Sequence, residues 1–187
     1  FVDLSACYLD ILKDRLYTSP AASLARRSAQ TVMLALLSAM ARMMAPIMAF
    51  TADEIWQHLP SWQDKTANVH FTALPEVDPA WIDETLAEKW GQILIIRGEV
   101  TKALEKARGD KLIGHPLDAA VTLVAAGKAY DVLQEYRHQL AHIFIVSQAI
   151  LAEADASLSG AYHSEEIEGL QIKVARAAGD KCDRCWI

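Results

Sequence analysis

The sequence predicts a mainly α protein, a helical bundle followed by a small α+β domain. Two observations carry that expectation. Through residues 1–108, apolar side chains recur every three or four positions, as on a helix with one buried face. After Gly114 the period changes to two, the repeat of a strand. Composition sets the scale. The 187 residues are 52% hydrophobic and 22% charged, the balance of a globular chain able to bury a core.

The elements follow in order. In FVDLSACYLDILKDRLY, Leu4, Tyr8, Ile11 or Leu12 and Arg15 recur at helical spacing, with Asp3 as the expected N-cap. Thr18-Ser19-Pro20 stops this helix and Ser23 caps the next. There Val32, Leu36 and Met40 form one row and Met33, Leu37 and Met44 another, an apolar face wide enough to be buried among other helices. The methionines read as core filling. Thr51 to Glu54 fit a capping box, with Ile55, Trp56 and Leu59 behind it and Pro60 as the stop. Residues 60–78 are loop-like. Asp78-Pro79 then reads as a helix start, cap followed by proline, for a segment reaching about residue 107 with Leu86, Trp90, Arg97, Val100 and Leu104 on one side. Gly91 and Gly98 would each cost that helix roughly 1 kcal/mol relative to alanine, enough to permit a bend.

Beyond Gly109 to Pro116 the reading is strand for AAVTLVA, helix through Val132, Leu133, Tyr136 and Leu140, strand for IFIVSQAIL at 143–151, and strand again at Leu170, Ile172 and Val174. The expected organisation is a helical domain over 1–108, a small α+β domain over 109–178, and a short cysteine-bearing end over 179–187.

Composition excludes several classes. The most apolar long stretch, Ser28 to Ala41, lies between Arg27 and Arg42 and carries Gln30. It falls short of the roughly 20 apolar residues of a bilayer span. The first residue is Phe1 and no basic-then-apolar leader precedes the first helix, so no signal peptide is expected and the chain reads as a piece of a longer protein. Cys7, Cys182 and Cys185 are odd in number and irregular in spacing, which fits a reducing, cytoplasmic setting better than a disulfide framework. A net charge of −6 is unlike a basic nucleic-acid domain, and neither half of the chain is basic. Any RNA contact therefore rests on local patches.

The Cys182–Cys185 pair has the spacing of half a structural zinc site, which needs four ligands. A dithiol redox site and an incidental pair are the alternatives. No phosphate loop and no HExxH occurs, and the six histidines show no ligand spacing. No catalytic constellation is present. Two basic clusters remain. Lys13, Arg15, Arg26 and Arg27 with Tyr17 between them can pair phosphates and stack a base, although Asp10 and Asp14 are near enough to neutralise part of that charge. Arg97, Lys102, Lys106, Arg108 and Lys111 are interleaved with Glu99 and Glu105, so an exposed, ion-paired helix face is the plainer reading there.

Four stretches in one order, SACYLDILKDRLY, MAPIMAFTADEIWQHLP, RGEVTKALEKAR with KLIGHPLDAAVTL, and GDKCDRCW, resemble bacterial isoleucyl-tRNA synthetases over nearly the whole chain. The first two occur more loosely in valyl, leucyl and methionyl relatives. The resemblance implies a helical anticodon-binding domain over 1–108, a junction after it, and a C-terminal zinc knuckle opened by Cys182 and Cys185 and completed by a second pair further on. It implies isoleucine tRNA as partner and, for the whole enzyme, ATP with magnesium and zinc as cofactors. The HIGH and KMSKS signatures of that family are absent here. This stretch alone is therefore expected to be non-catalytic, cofactor-free and monomeric, binding RNA while chemistry happens elsewhere. An acidic helical scaffold for a protein partner is the competing expectation.

Overall fold

The computed structural model describes residues 2–153, 156–180 and 182. The chain forms two compact units, residues 15–82 and residues 1–14 with 83–187. A π-helical turn, Val2–Tyr8, leads into helix α1, Leu9–Tyr17, along which the chain passes from one unit to the other. Asp3 lies inside that turn rather than ahead of it.

Residues 15–82 are helical. Ser23 caps α2 (Leu24–Met44), its hydroxyl accepting from the Arg26 amide at 3.2 Å. Helix α3 (Ala49–His58) packs on α2 through Ala41, Ala45 and Ala52, whose small side chains allow close approach, while Trp56, Leu59 and Val69 fill the remaining space. Asp53 accepts from the Val69 amide at 3.1 Å and fixes the short turn Val69–Phe71 against α3. Three expectations change here. The helical ladder of α3 begins with Ala52 bonding Met48, so Thr51 lies within the helix and caps nothing. Within residues 15–82, α3 and that turn pack on α2, and Val32, Leu36, Leu37 and Met40, expected in buried rows, are exposed. Asp78 does act as a cap, but of the single turn Pro79–Trp81; the long helix waits for Asp83.

In the larger unit α4 (Glu84–Gly109) runs unbroken through Gly91 and Gly98. Asp83 accepts from the Leu86 amide at 2.9 Å and starts it. Its buried positions, Ile93, Ile96, Val100, Ala103, Leu104 and Ala107, keep helical spacing and face a four-stranded sheet. The strands are β1 (Ala119–Val124), β2 (Gln148–Leu151), β3 (Tyr162–His163) and β4 (Gln171–Arg176), in the order β2-β1-β4-β3. β1 runs parallel to β2 and antiparallel to β4, and β3 pairs antiparallel with β4. Register places Leu123 opposite both Leu151 and Ile172. The parallel β1–β2 connection carries α5 (Gly127–Glu135) and α6 (Leu140–Phe144), which add Leu133, Leu140, Ile143 and Phe144 to the same core.

The expected single helix through Leu140 is thus two helices, and the strand expected over 143–151 begins only at Gln148. Ile145 takes a left-handed conformation (φ 56°) that ends α6 and redirects the chain into β2. Because α4 shares its core with the sheet, the larger unit takes up the chain again at Asp83, whereas the change of period lies near residue 108.

Candidate nucleic-acid interface

The cations expected to meet RNA differ sharply in what the structure does with them. In residues 15–82, Tyr17 ends α1 with 75% of its surface exposed. Arg15 is half-buried. Arg26 and Arg27 occupy the first turn of α2, which contains no acidic residue. The positive end of the helix dipole and two guanidinium groups therefore coincide there. Arg26 also serves the fold: its Nη1 donates to the Ser19 carbonyl at 3.1 Å, pinning the Thr18-Ser19-Pro20 turn, and its Nε is buried without a hydrogen-bond acceptor among the described residues. Arg27 is exposed. Lys13 falls in the other unit, where it pairs with Asp10 one turn earlier.

The second cluster is largely engaged. Lys102 pairs with Glu99 and lies 3.7 Å from Glu166, Arg108 pairs with Glu105 at 3.1 Å, and Arg97 donates through Nε to the Ile143 carbonyl at 3.0 Å. Lys106 and Lys111 are exposed and make no ion pair among the described residues.

Glu99 is the buried charged residue of this unit, with no exposed surface. The hydrogen bond from Lys102 leads the interactions that hold its carboxyl below the ordinary range, joined by hydrogen bonds from Ser164 and Tyr162. The same pairing raises Lys102. Burial, followed by the Glu99 hydrogen bond, raises the Tyr162 phenol.

Cys182 is exposed, and Cys185 lies outside the described residues. Among the described residues no group of three or more His, Cys, Asp or Glu is placed to hold a metal. The described donor set does not make a zinc site.

Sequence reasoning passed over a further feature in residues 15–82. The loop after α3 carries Lys65 over the rings of Trp62 and Trp56, 5.4 and 5.8 Å from their centroids, and the two indoles meet edge to face at 5.4 Å. The Lys65 ammonium donates to the Leu59 carbonyl at 2.7 Å, and Trp56 donates through Nε1 to the Thr66 carbonyl at 2.9 Å. Beside them lies a groove of about 400 Å³ that Arg42 and Asp64 also line. The alternation of aromatic and basic residues in WQHLPSWQDK was the available signal.

The comparisons with known proteins bear on which partner such surfaces serve. The family described as "Anticodon-binding domain of tRNA ligase" matches residues 1–123. An isoleucine–tRNA ligase of Geobacter sulfurreducens is 48% identical over 186 residues, covering 99% of this chain and 20% of that protein. Isoleucine–tRNA ligases of Moorella thermoacetica (44% over 187 residues) and Desulforamulus reducens (46% over 186) each cover 100% of this chain and 20% of their own length. The chain thus spans about one fifth of the length of the curated relatives it matches. With the family match extending over well more than half of its residues, this chain belongs to the anticodon-binding domain family of tRNA ligases.

Proposed function

We propose that this chain is the tRNA-binding part of a longer, cytoplasmic isoleucine–tRNA ligase, a class I aminoacyl-tRNA synthetase that joins isoleucine to its tRNA at the expense of ATP. The observation that carries the reading is the family match over residues 1–123, joined to near-complete alignment with proteins named isoleucine–tRNA ligase. ATP and magnesium would act in the remainder of that protein. The residues here would grip and orient the RNA as monomers, with no chemical step of their own. Arg27, with the positive end of the α2 dipole behind it, is the strongest phosphate contact; Arg26 shapes the turn beside it, and Tyr17 offers an exposed ring for a base. Lys106 and Lys111 form a secondary candidate surface. Lys13, Arg15 and Lys102 would contribute less, since Lys13 and Lys102 pair with acids and Arg15 is half-buried. Zinc would need donors beyond Cys182 and Cys185, and no step is assigned to it.

A second reading has its own observation. The exposed apolar row of Leu36, Met40 and Met43 on α2 suits a protein partner. One experiment separates the two. The purified chain is incubated with total bacterial tRNA, and the retained RNA is sequenced at rising salt. Enrichment of isoleucine tRNAs with steep salt dependence supports the RNA reading. Retention of no tRNA at low salt overturns it, and retention of valine, leucine or methionine tRNAs moves the assignment to a sister enzyme.

A further inference from the structure

We propose that the groove between α2 and the loop after α3 is a subsite for one unpaired nucleotide of RNA, its base stacked on Trp62 and its phosphate held by Arg42. The proposal rests on the tRNA-binding reading and adds a contact point to it that neither the basic clusters nor the family match assigns.

The first support is the stripe that α2 presents. Thr31, Ser38 and Arg42 line the groove, and Arg27 stands one turn before Thr31, whose hydroxyl donates to the Arg27 carbonyl at 2.9 Å. These positions stand four, seven and four residues apart, one, two and one helical turns, and so share a face. At 1.5 Å per residue the two arginines are separated by about 22 Å along the axis. A strand of RNA laid along this face meets a guanidinium at each end and the indole of Trp62 at the groove.

The second support is the state of the aromatic pair. Trp56 is buried and held by its bond to Thr66, whereas Trp62 keeps 39% of its surface exposed. Lys65, tethered at the Leu59 carbonyl, fixes the orientation of Trp62 before any ligand arrives. A prearranged indole with open surface is what base stacking uses, and stacking tolerates any base.

The third support is charge left uncompensated. Arg42 and Asp64 line one groove, yet neither forms an ion pair with the other or with any described residue; the Arg42 Nε reaches the Ser38 carbonyl at 3.4 Å. Asp64 adopts a left-handed backbone (φ 66°), an arrangement that costs free energy and is concentrated at ligand-holding sites. A carboxylate accepts hydrogen bonds and donates none. It therefore favours guanine, which presents N1–H and an exocyclic amino group side by side, over uracil, which presents N3–H alone, while Arg42 takes the adjoining phosphate.

The test measures anisotropy of labelled single-stranded RNAs of about nine nucleotides, all-uridine or with one or two central guanosines. The chain should bind the substituted RNAs about fivefold more tightly than oligouridine, the worth of one hydrogen bond. Asp64→Gly keeps the left-handed backbone accessible and should remove that preference while leaving oligouridine affinity intact. Trp62→Leu and Arg42→Gln should each weaken all three RNAs about tenfold, and Trp62→Phe should restore most of the loss. Circular dichroism and thermal melting confirm that each variant is folded. The subsite is overturned if the parent chain shows no base preference, if the preference survives Asp64→Gly, or if Trp62→Phe binds no better than Trp62→Leu. Whole tRNA bound without any single-stranded RNA refutes the subsite and leaves the tRNA reading standing. Failure to bind either RNA removes both.

Discussion

The Tyr162 hydroxyl donates to the Glu99 carboxylate at 3.2 Å, joining strand β3 to helix α4 across 63 positions of sequence. β3 has two residues and pairs along one side only, so its ladder contributes little hold. Glu99, Lys102 and Tyr162 add to it. A buried carboxylate is costly unless its oxygens are filled, and here hydrogen bonds fill both.

A pH dependence follows from that carboxyl. Its folded pKa lies below its ordinary value of 4.5, so the folded state binds fewer protons there than the unfolded state. Its contribution is fully present above the unfolded value and is lost as the pH falls through the lower folded one. Glu99→Gln should lower stability by about 1–3 kcal/mol at pH 7, and the difference from the parent chain should shrink below pH 4.5. Urea denaturation of both proteins at several pH values reads it directly. A constant difference across that range would mean that packing, not charge, accounts for the loss.

How much of this was legible in the sequence depended on the distance between partners. Ser23 and its cap were legible, because the acceptor and the Arg26 amide are three residues apart. The strands Ala119–Val124 and Gln171–Arg176 announced themselves by alternation. Asp78-Pro79 misled because a cap followed by proline starts a single turn as readily as a long helix; Asp83 was the true start. Ile143 and Phe144 looked like strand because β-branched and aromatic residues favour it, but their side chains are buried with Leu133 and Leu140, and that core overrode propensity. Among the candidate RNA contacts, the near pairings were legible, Lys13 with Asp10, Lys102 with Glu99 and Arg108 with Glu105, because each lies within one helical turn. The bond from Arg97 to the Ile143 carbonyl, 46 positions away, had no such local signal.

The central strand should be the most sensitive part of the larger core. Leu123 is fully buried and faces Leu151 on one neighbouring strand and Ile172 on the other. Leu123→Ala should cost about 2–5 kcal/mol, since three elements cannot close on the space it leaves. Exposed Leu24→Ala on α2 should change stability by less than about 0.5 kcal/mol. Comparable losses for the two in chemical denaturation would refute the assigned core.

Zinc should be well below one ion per chain. A structural site takes four protein ligands, and Cys182 and Cys185 supply two. With two positions left to water, the ion should be lost to a mild chelator without change in helicity. Metal analysis after purification checks this. One tightly held zinc per monomeric chain would contradict it, and half an ion per chain in a dimer would reveal a site shared between two copies.

The two arginines that begin α2 should respond differently to the same replacement. Arg27 is exposed, so Arg27→Ala should weaken tRNA binding and reduce the slope of log affinity against log salt by about one, with no effect on melting. Arg26 holds the Ser19 carbonyl as well, so Arg26→Ala should also loosen the turn between α1 and α2 and lower the melting temperature by a few degrees. Arg26→Lys distinguishes the two roles: it keeps the charge but loses the planar geometry of the guanidinium, and should recover the salt slope without recovering the full melting temperature. With a net charge of −6 the chain has little long-range attraction for RNA, so the loss of even one local contact should be measurable at low salt. A double replacement at Arg26 and Arg27 that bound tRNA as tightly as the parent chain would remove this end of α2 from the interface. It would leave Lys106 and Lys111, exposed and without an ion pair among the described residues, as the cations to be replaced next.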